Sequence, residues 1–177
     1  MKIGGSIIGN TTHAVLIIAR GQNVKLASGF DIAIASVTVG GSVQHAQILA
    51  GYLIDGLDGS IDPVNADASI GAVSVGRSWV GSDLVAGARN AGTLGFGVGD
   101  ALQATGNTAL IARIASITIR GDVSGSRAAG DNFGFVAEQI DKLRIGSRTI
   151  TLVPGPSNPA DNFLISLTDD VHLLEAS

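Results

Sequence analysis

Short runs in which branched aliphatic residues alternate with small polar ones recur along this chain. Ser36-Val37-Thr38-Val39, Ala72-Val73-Ser74-Val75 and Ser116-Ile117-Thr118-Ile119 each put every second side chain on one face, the pattern of a strand with one buried side. A glycine follows each run (Gly40, Gly76, Gly121), which reads as a sharp corner at positive φ. A second short strand is expected around Val43, Trp79 and Val123. A third apolar patch follows at Ile48-Leu49-Ala50 and Leu84-Val85-Ala86.

These runs belong to a repeat. The stretch 34–51 aligns with 70–87 without a gap at a spacing of 36, pairing Val37 with Val73, Val39 with Val75 and Gly51 with Gly87. A third copy starts at Ile114, offset by 80, and a fourth covers Ile140 to Gly146, offset by 106, with Thr149 to Val153 extending it. Ile3 to Gly9 and Ala14 to Leu26 read as divergent copies. A repeat of this size is one supersecondary unit stacked on copies of itself, and the unequal offsets mean stacking with insertions. The fold expected is all-β: one domain, 1–177, forming a single-stranded parallel β-helix (β-solenoid), right-handed by the usual sense of parallel crossovers. An antiparallel sandwich is the rival, since 36 residues also hold two hairpins.

Two insertions interrupt the ladder, at about 52–69 and 88–110. Both are rich in turn formers and are expected to protrude from one side of the stack. A loop with three prolines begins a C-terminal cap at about 154–177, where 162–167 and Val171 to Leu174 read as closing strands. Phe133 and Phe135 are the candidates to fill a tapering end of the core.

Composition narrows the picture. Hydrophobic residues make up 45% of the 177 positions but aromatics only 4%, so the core is filled by small and branched aliphatics in narrow layers. Charged residues are 15%, too few for the outer faces of long helices. With a net charge of −4 and scattered arginines, the chain lacks the clustered cations that nucleic acid requires. Cysteine is absent, which excludes disulfides and thiolate metal sites. No apolar run approaches the ~18 residues of a membrane span. Met1-Lys2-Ile3 runs into glycines and polar residues rather than a signal peptide.

The unit I-x-x-V-x-V-G-G-S-V, the run D-N-F-G-F-V-A-E-Q-I at 131–140 and the run P-G-P-S-N-P-A-D-N-F at 154–163 resemble the β-solenoid repeat segments of large secreted or surface-anchored bacterial proteins, of the kind abundant in planctomycetes. The resemblance covers most of 32–174. It implies an extracellular or cell-surface module within a larger protein, structural or adhesive and non-catalytic, with a cell-surface or polysaccharide ligand. The alternative is a glycan-binding or polysaccharide-acting β-helix module. Insertions in that family often read D-G-x-x-G-T-x-D-D; here 95–100 keeps the glycines and loses most of the acids.

Candidate chemistry is sparse. Asp55, Asp58, Asp62, Asn65 and Asp67 crowd within 13 residues, and oxygen ligands on a glycine-bearing loop suit Ca²⁺. The spacing is not that of an EF-hand, and a solvated loop that uses Asp and Asn for turns is the plainer reading of the cluster. No other cofactor is expected. His13, His45 and His172 lack ligand spacing, and His45 reads as an ordinary surface histidine. Arg113, Arg120 and Arg144 stand out on faces otherwise made of Ser, Thr and Ala, and would suit an anionic polymer. Val123-Ser124-Gly125-Ser126 has Asp122 where a nucleophile elbow has glycine, and 95–99 lacks the spacing of a dinucleotide loop. Trp79 replaces the valine of the first copy and either fills the core or offers a sugar-stacking face.

Overall fold

The computed structural model describes residues 1–22, 26–92, 94–126, 128, 130–166 and 168–177. Residues 23–25 of the second divergent copy, Arg127 among the scattered arginines, Thr93 of the second insertion and Leu167 of the closing strand lie outside the described residues. The chain is all-β, built on three parallel sheets, with a single 3₁₀ turn at Pro159–Asp161 and no α-helix among the described residues.

The chain visits the three sheets in a fixed order. Lys2–Ile3, Ile7–Ile8 and Val15–Ala19 are the first strands of the first, second and third sheets. Asp31–Val39, Val43–Gln44 and Ala46–Ala50 follow, then Ala68–Val75, Trp79–Val80 and Asp83–Ala86, then Arg113–Ile119, Val123–Ser124 and Phe133–Ala137. Gln139–Ile140 and Leu143–Ile145 return to the first sheet, and Val171–Glu175 adds the last parallel strand of the third.

Register follows the repeat. Val37 stands beside Val73 and Val73 beside Ile117; Val39, Val75 and Ile119 form the next row. Val43, Trp79 and Val123 align in the second sheet, and Ile48 with Leu84 in the third. Side chains in a strand alternate between faces, so these rows point to one side. They meet in a single core cluster drawn from all three sheets. Trp79 is fully buried within it, edge-on to Phe135 with ring centroids 5.2 Å apart, and its indole N–H donates to the Ser82 carbonyl at 2.9 Å. The Trp therefore fills the core and offers no stacking face.

Three expectations need correction. Gly40, Gly76 and Gly121 are not at positive φ. Glycine is required there for closeness: a Cβ on Gly40 would lie 2.3 Å from the Gly4 carbonyl oxygen, and one on Gly76 2.2 Å from that of Gly40. The left-handed corners are instead Gly51 (φ 95°) with Gly87 (φ 64°), and the non-glycine His45 (φ 45°) with Gly81 (φ 48°). Second, Arg148–Ile150 does not extend the parallel ladder but turns back antiparallel on Leu143–Ile145. Phe163–Leu164 likewise closes the third sheet antiparallel to Val171–Glu175.

Third, the insertions differ from each other. The first is a hairpin, Tyr52–Ile54 with Ile61–Pro63, whose tip Leu57 is 95% exposed; Ala68 and Ser69 already belong to the next strand. The second does not simply protrude. After pairing Ala88–Arg89 with Ala101–Leu102, it lays Gly95 beside Asn132 and buries Phe96 with Leu49, Tyr52, Val85 and Val136 on the outer face of the third sheet. Gly134 permits this contact, because a Cβ there would sit 2.7 Å from the Gly97 nitrogen.

Candidate functional site

The outer face of the third sheet is where polar chemistry collects. Gln47, Asp83 and Gly134 occupy one outward row across three strands. Asp83 is buried, and both its oxygens are used: Gln47 Nε2 donates to Oδ2 at 3.0 Å and the Gly134 N–H to Oδ1 at 3.1 Å. Burial pushes its carboxyl up to about 7, against the pull of those two hydrogen bonds, and the neighbouring Asp100 adds to the rise. Asp100 comes from the folded-back insertion. Its Oδ2 accepts the Gly97 N–H at 2.5 Å, its Oδ1 is buried without a partner among the described residues, and burial raises it to about 6. Tyr52 completes the group: burial and the two carboxyls hold its phenol protonated well above the usual range, and its hydroxyl donates to the Ala88 carbonyl at 2.7 Å.

Beside this group lies a recess of about 300 Å³, open to solvent, lined by Asn10, His45, Gln47, Asp83, Ser126 and Asp131 among others. His45 reaches it from the left-handed corner between the second and third sheets, its ring against Gly81. Ser126 donates through its hydroxyl to Asp131, whose Oδ1 is buried and unpartnered among the described residues. The amide of Gln47 and the ring of His45 supply hydrogen-bonding groups at the wall of this recess, behind which Asp83 is buried with both oxygens already engaged. The position of Asp83 is legible in the sequence: it aligns with Gln47 in the 36-residue repeat, two polar residues leading into aliphatic strands. The role of Asp100 carries no such signal, because it depends on the insertion folding back.

The five residues considered for calcium go to separate tasks. Asp55 Oδ1 accepts the Leu57 N–H at 2.8 Å, and Asp58 Oδ1 accepts the Ser60 N–H at 2.8 Å, a bond that holds its exposed carboxyl below the usual range. Asp62 accepts the Ser60 hydroxyl at 3.1 Å. Asn65 reaches back, donating to the Arg20 carbonyl at 3.0 Å and to Asp31 at 2.8 Å. Asp67 is buried and accepts the Asn107 N–H at 2.7 Å. Among the described residues no group of three or more His, Cys, Asp or Glu is placed to hold a metal ion.

Asp31 and Asp67 belong instead to a set of carboxylates that accept backbone N–H groups between the third and first sheets. Asp31 takes Gln22 N–H at 3.0 Å, Glu138 takes Ala112 N–H at 3.0 Å, and Glu175 takes Ile140 N–H at 2.8 Å and Asn158 N–H at 3.0 Å. Burial raises the carboxyls of Glu138 and Glu175. Of the arginines, Arg113 is tied to Asp141 at 3.3 Å and stacks over Phe30 at 3.7 Å, while Arg144 bonds the Gly146 carbonyl through Nε.

No protein-family model matches this chain, and no curated protein or solved structure is significantly similar to it.

Proposed function

We propose that the three parallel sheets are the faces of one right-handed parallel β-helix, and that this coil serves as a non-catalytic structural or adhesive module of a bacterial extracellular or surface protein. The observation that carries the reading is the fixed order in which the chain visits the sheets, four times in succession, with side chains from all three meeting in one core. A coil of this kind derives stability from stacked aliphatic layers and continuous strand ladders. Its first face presents a low polar surface, Ser36, Ala72 and Ser116 in one row and Thr38, Ser74 and Thr118 in another. That suits a rod that spaces or presents other elements. No helix among the described residues is long and apolar enough to cross a membrane.

The recess over the third sheet favours a second reading, a glycan-binding or polysaccharide-acting module. Its amides, imidazole and carboxyls match the hydroxyl groups of a sugar in hydrogen-bonding type. A screen against neutral and acidic polysaccharides separates the two. The structural reading expects neither retention nor product; retention without product supports a binding module, and released oligosaccharide supports an enzyme.

A further inference from the structure

The two ends of the stack are unlike. At the C-terminal end, antiparallel strands close the first and third sheets, and they follow or carry Arg148, Thr149 and a three-proline loop, features that blunt an edge. At the N-terminal end, the outermost described strand of every sheet is a parallel one. Lys2–Ile3, Ile7–Ile8 and Val15–Ala19 each pair with one neighbour among the described residues. In the first and third sheets the inward side chains there are only partly covered: Val15, Ile17 and Ile3 are half-buried, whereas Ala46, Ile48 and Val39, one pass further in, are at most 1% exposed; in the second sheet Ile7 is already buried.

Val15–Ala19 is the longest of these edges, and it is wholly apolar. Val15 N–H bonds the His45 carbonyl, and the Ala19 carbonyl accepts from Gly51 N–H, so residues 15, 17 and 19 face the interior of the ladder. The N–H and C=O groups of Leu16 and Ile18 therefore point off the end of the stack. We propose that this end is a strand-addition interface whose occupant is a second copy of the same chain, joined head to head about a two-fold axis at Ile17. The proposal rests on the coil reading.

The geometry is self-complementary. With the axis at Ile17, Leu16 lies opposite Ile18 of the second copy, and the two exchange both N–H···O=C bonds; symmetry repeats the exchange at Ile18. Ile17 meets its own copy and continues the aliphatic layer. In a three-faced coil, a two-fold through the third face lays the first face of one copy over the second face of the other. Lys2 then meets the Ile7–Ile8 edge, not another Lys2, and the 64%-exposed Ile8 gains cover. Head-to-tail stacking is disfavoured because antiparallel strands end the first and third sheets at the C-terminal end, so only the second sheet, ending on Val123–Ser124, would continue its parallel ladder.

The test is the mass of the full chain in solution over a dilution series, together with amide exchange. The expected species at high concentration is twice 17.8 kDa, dissociating on dilution, with the Leu16 and Ile18 amides slowing as dimer forms. Leu16→Pro removes an outward N–H and leaves the ladder bonds of 15, 17 and 19 in place, so it should give monomer at every concentration. A 17.8-kDa species throughout overturns the proposal, as does a dimer whose Leu16 and Ile18 amides exchange freely. Strong protection of Ile48, Val73 and Ile117 in such a monomer would show that the interface fails while the coil stands. Loss of that protection would mean that the coil reading itself fails.

Discussion

Burial, not a cationic partner, decides the state of Asp83, and this gives the protein a pH dependence of definite sign. A carboxyl whose folded value is raised holds its proton more tightly when folded, so its stabilising contribution is full below the unfolded value near 4 and is lost as pH rises through about 7. Asp100, Glu138 and Glu175 are displaced in the same direction. The melting temperature is therefore expected to fall between pH 5 and pH 8, with Asp83 contributing on the order of a few kcal/mol. Asp83→Asn should flatten that fall: its carbonyl still accepts from Gly134, and its amide donates to a rotated Gln47. Thermal melts of both proteins at the two pH values check this, and an Asn variant as pH-dependent as the parent would refute it. At the core rows, Val75→Asn buries an amide among Val39, Ile119 and Val73. A loss of about 2–4 kcal/mol is expected in urea titrations.

At the scale of elements, the strands and the places of the insertions are legible in the sequence, and the way the insertions fold is not. Alternation at 36–39, 72–75 and 116–119 marks strands because one face of each is buried, and the repeat sets their register: the spacing of 36 puts Val37 beside Val73, and the offset of 80 for the third copy brings Ile117 into the same row. The cover of the third sheet's outer face is not legible, because it comes from a distant segment. Leu49, Val85 and Val136 look like surplus core residues until Phe96 is laid over them. The partners of Asn65 and Asp67, just beyond the first hairpin, are equally invisible in the sequence, because they lie in other passes, at Arg20, Asp31 and Asn107. Gly134→Ala tests the seating of the second insertion. A methyl group 2.7 Å from the Gly97 nitrogen must push the insertion away. Faster proteolysis within 92–100 with the far-UV spectrum unchanged is the expected result, at a cost of about 1–3 kcal/mol.

For the whole molecule, the question is whether three sheets visited in rotation make one continuous coil. The chain contains no cysteine, so paired cysteines report proximity without interference. Neighbouring parallel strands lie about 4.8 Å apart, within the reach of a disulfide. One double variant per sheet suffices: Thr38→Cys with Ser74→Cys, Gln44→Cys with Val80→Cys, and Leu16→Cys with Gln47→Cys, each pair side by side in register. The account predicts that all three pairs close under mild oxidation within a single chain, while the displaced pair Ser36→Cys with Ser74→Cys lags behind. Closure on one sheet and failure on the others, or equal closure of the displaced pair, would contradict a continuous parallel β-helix.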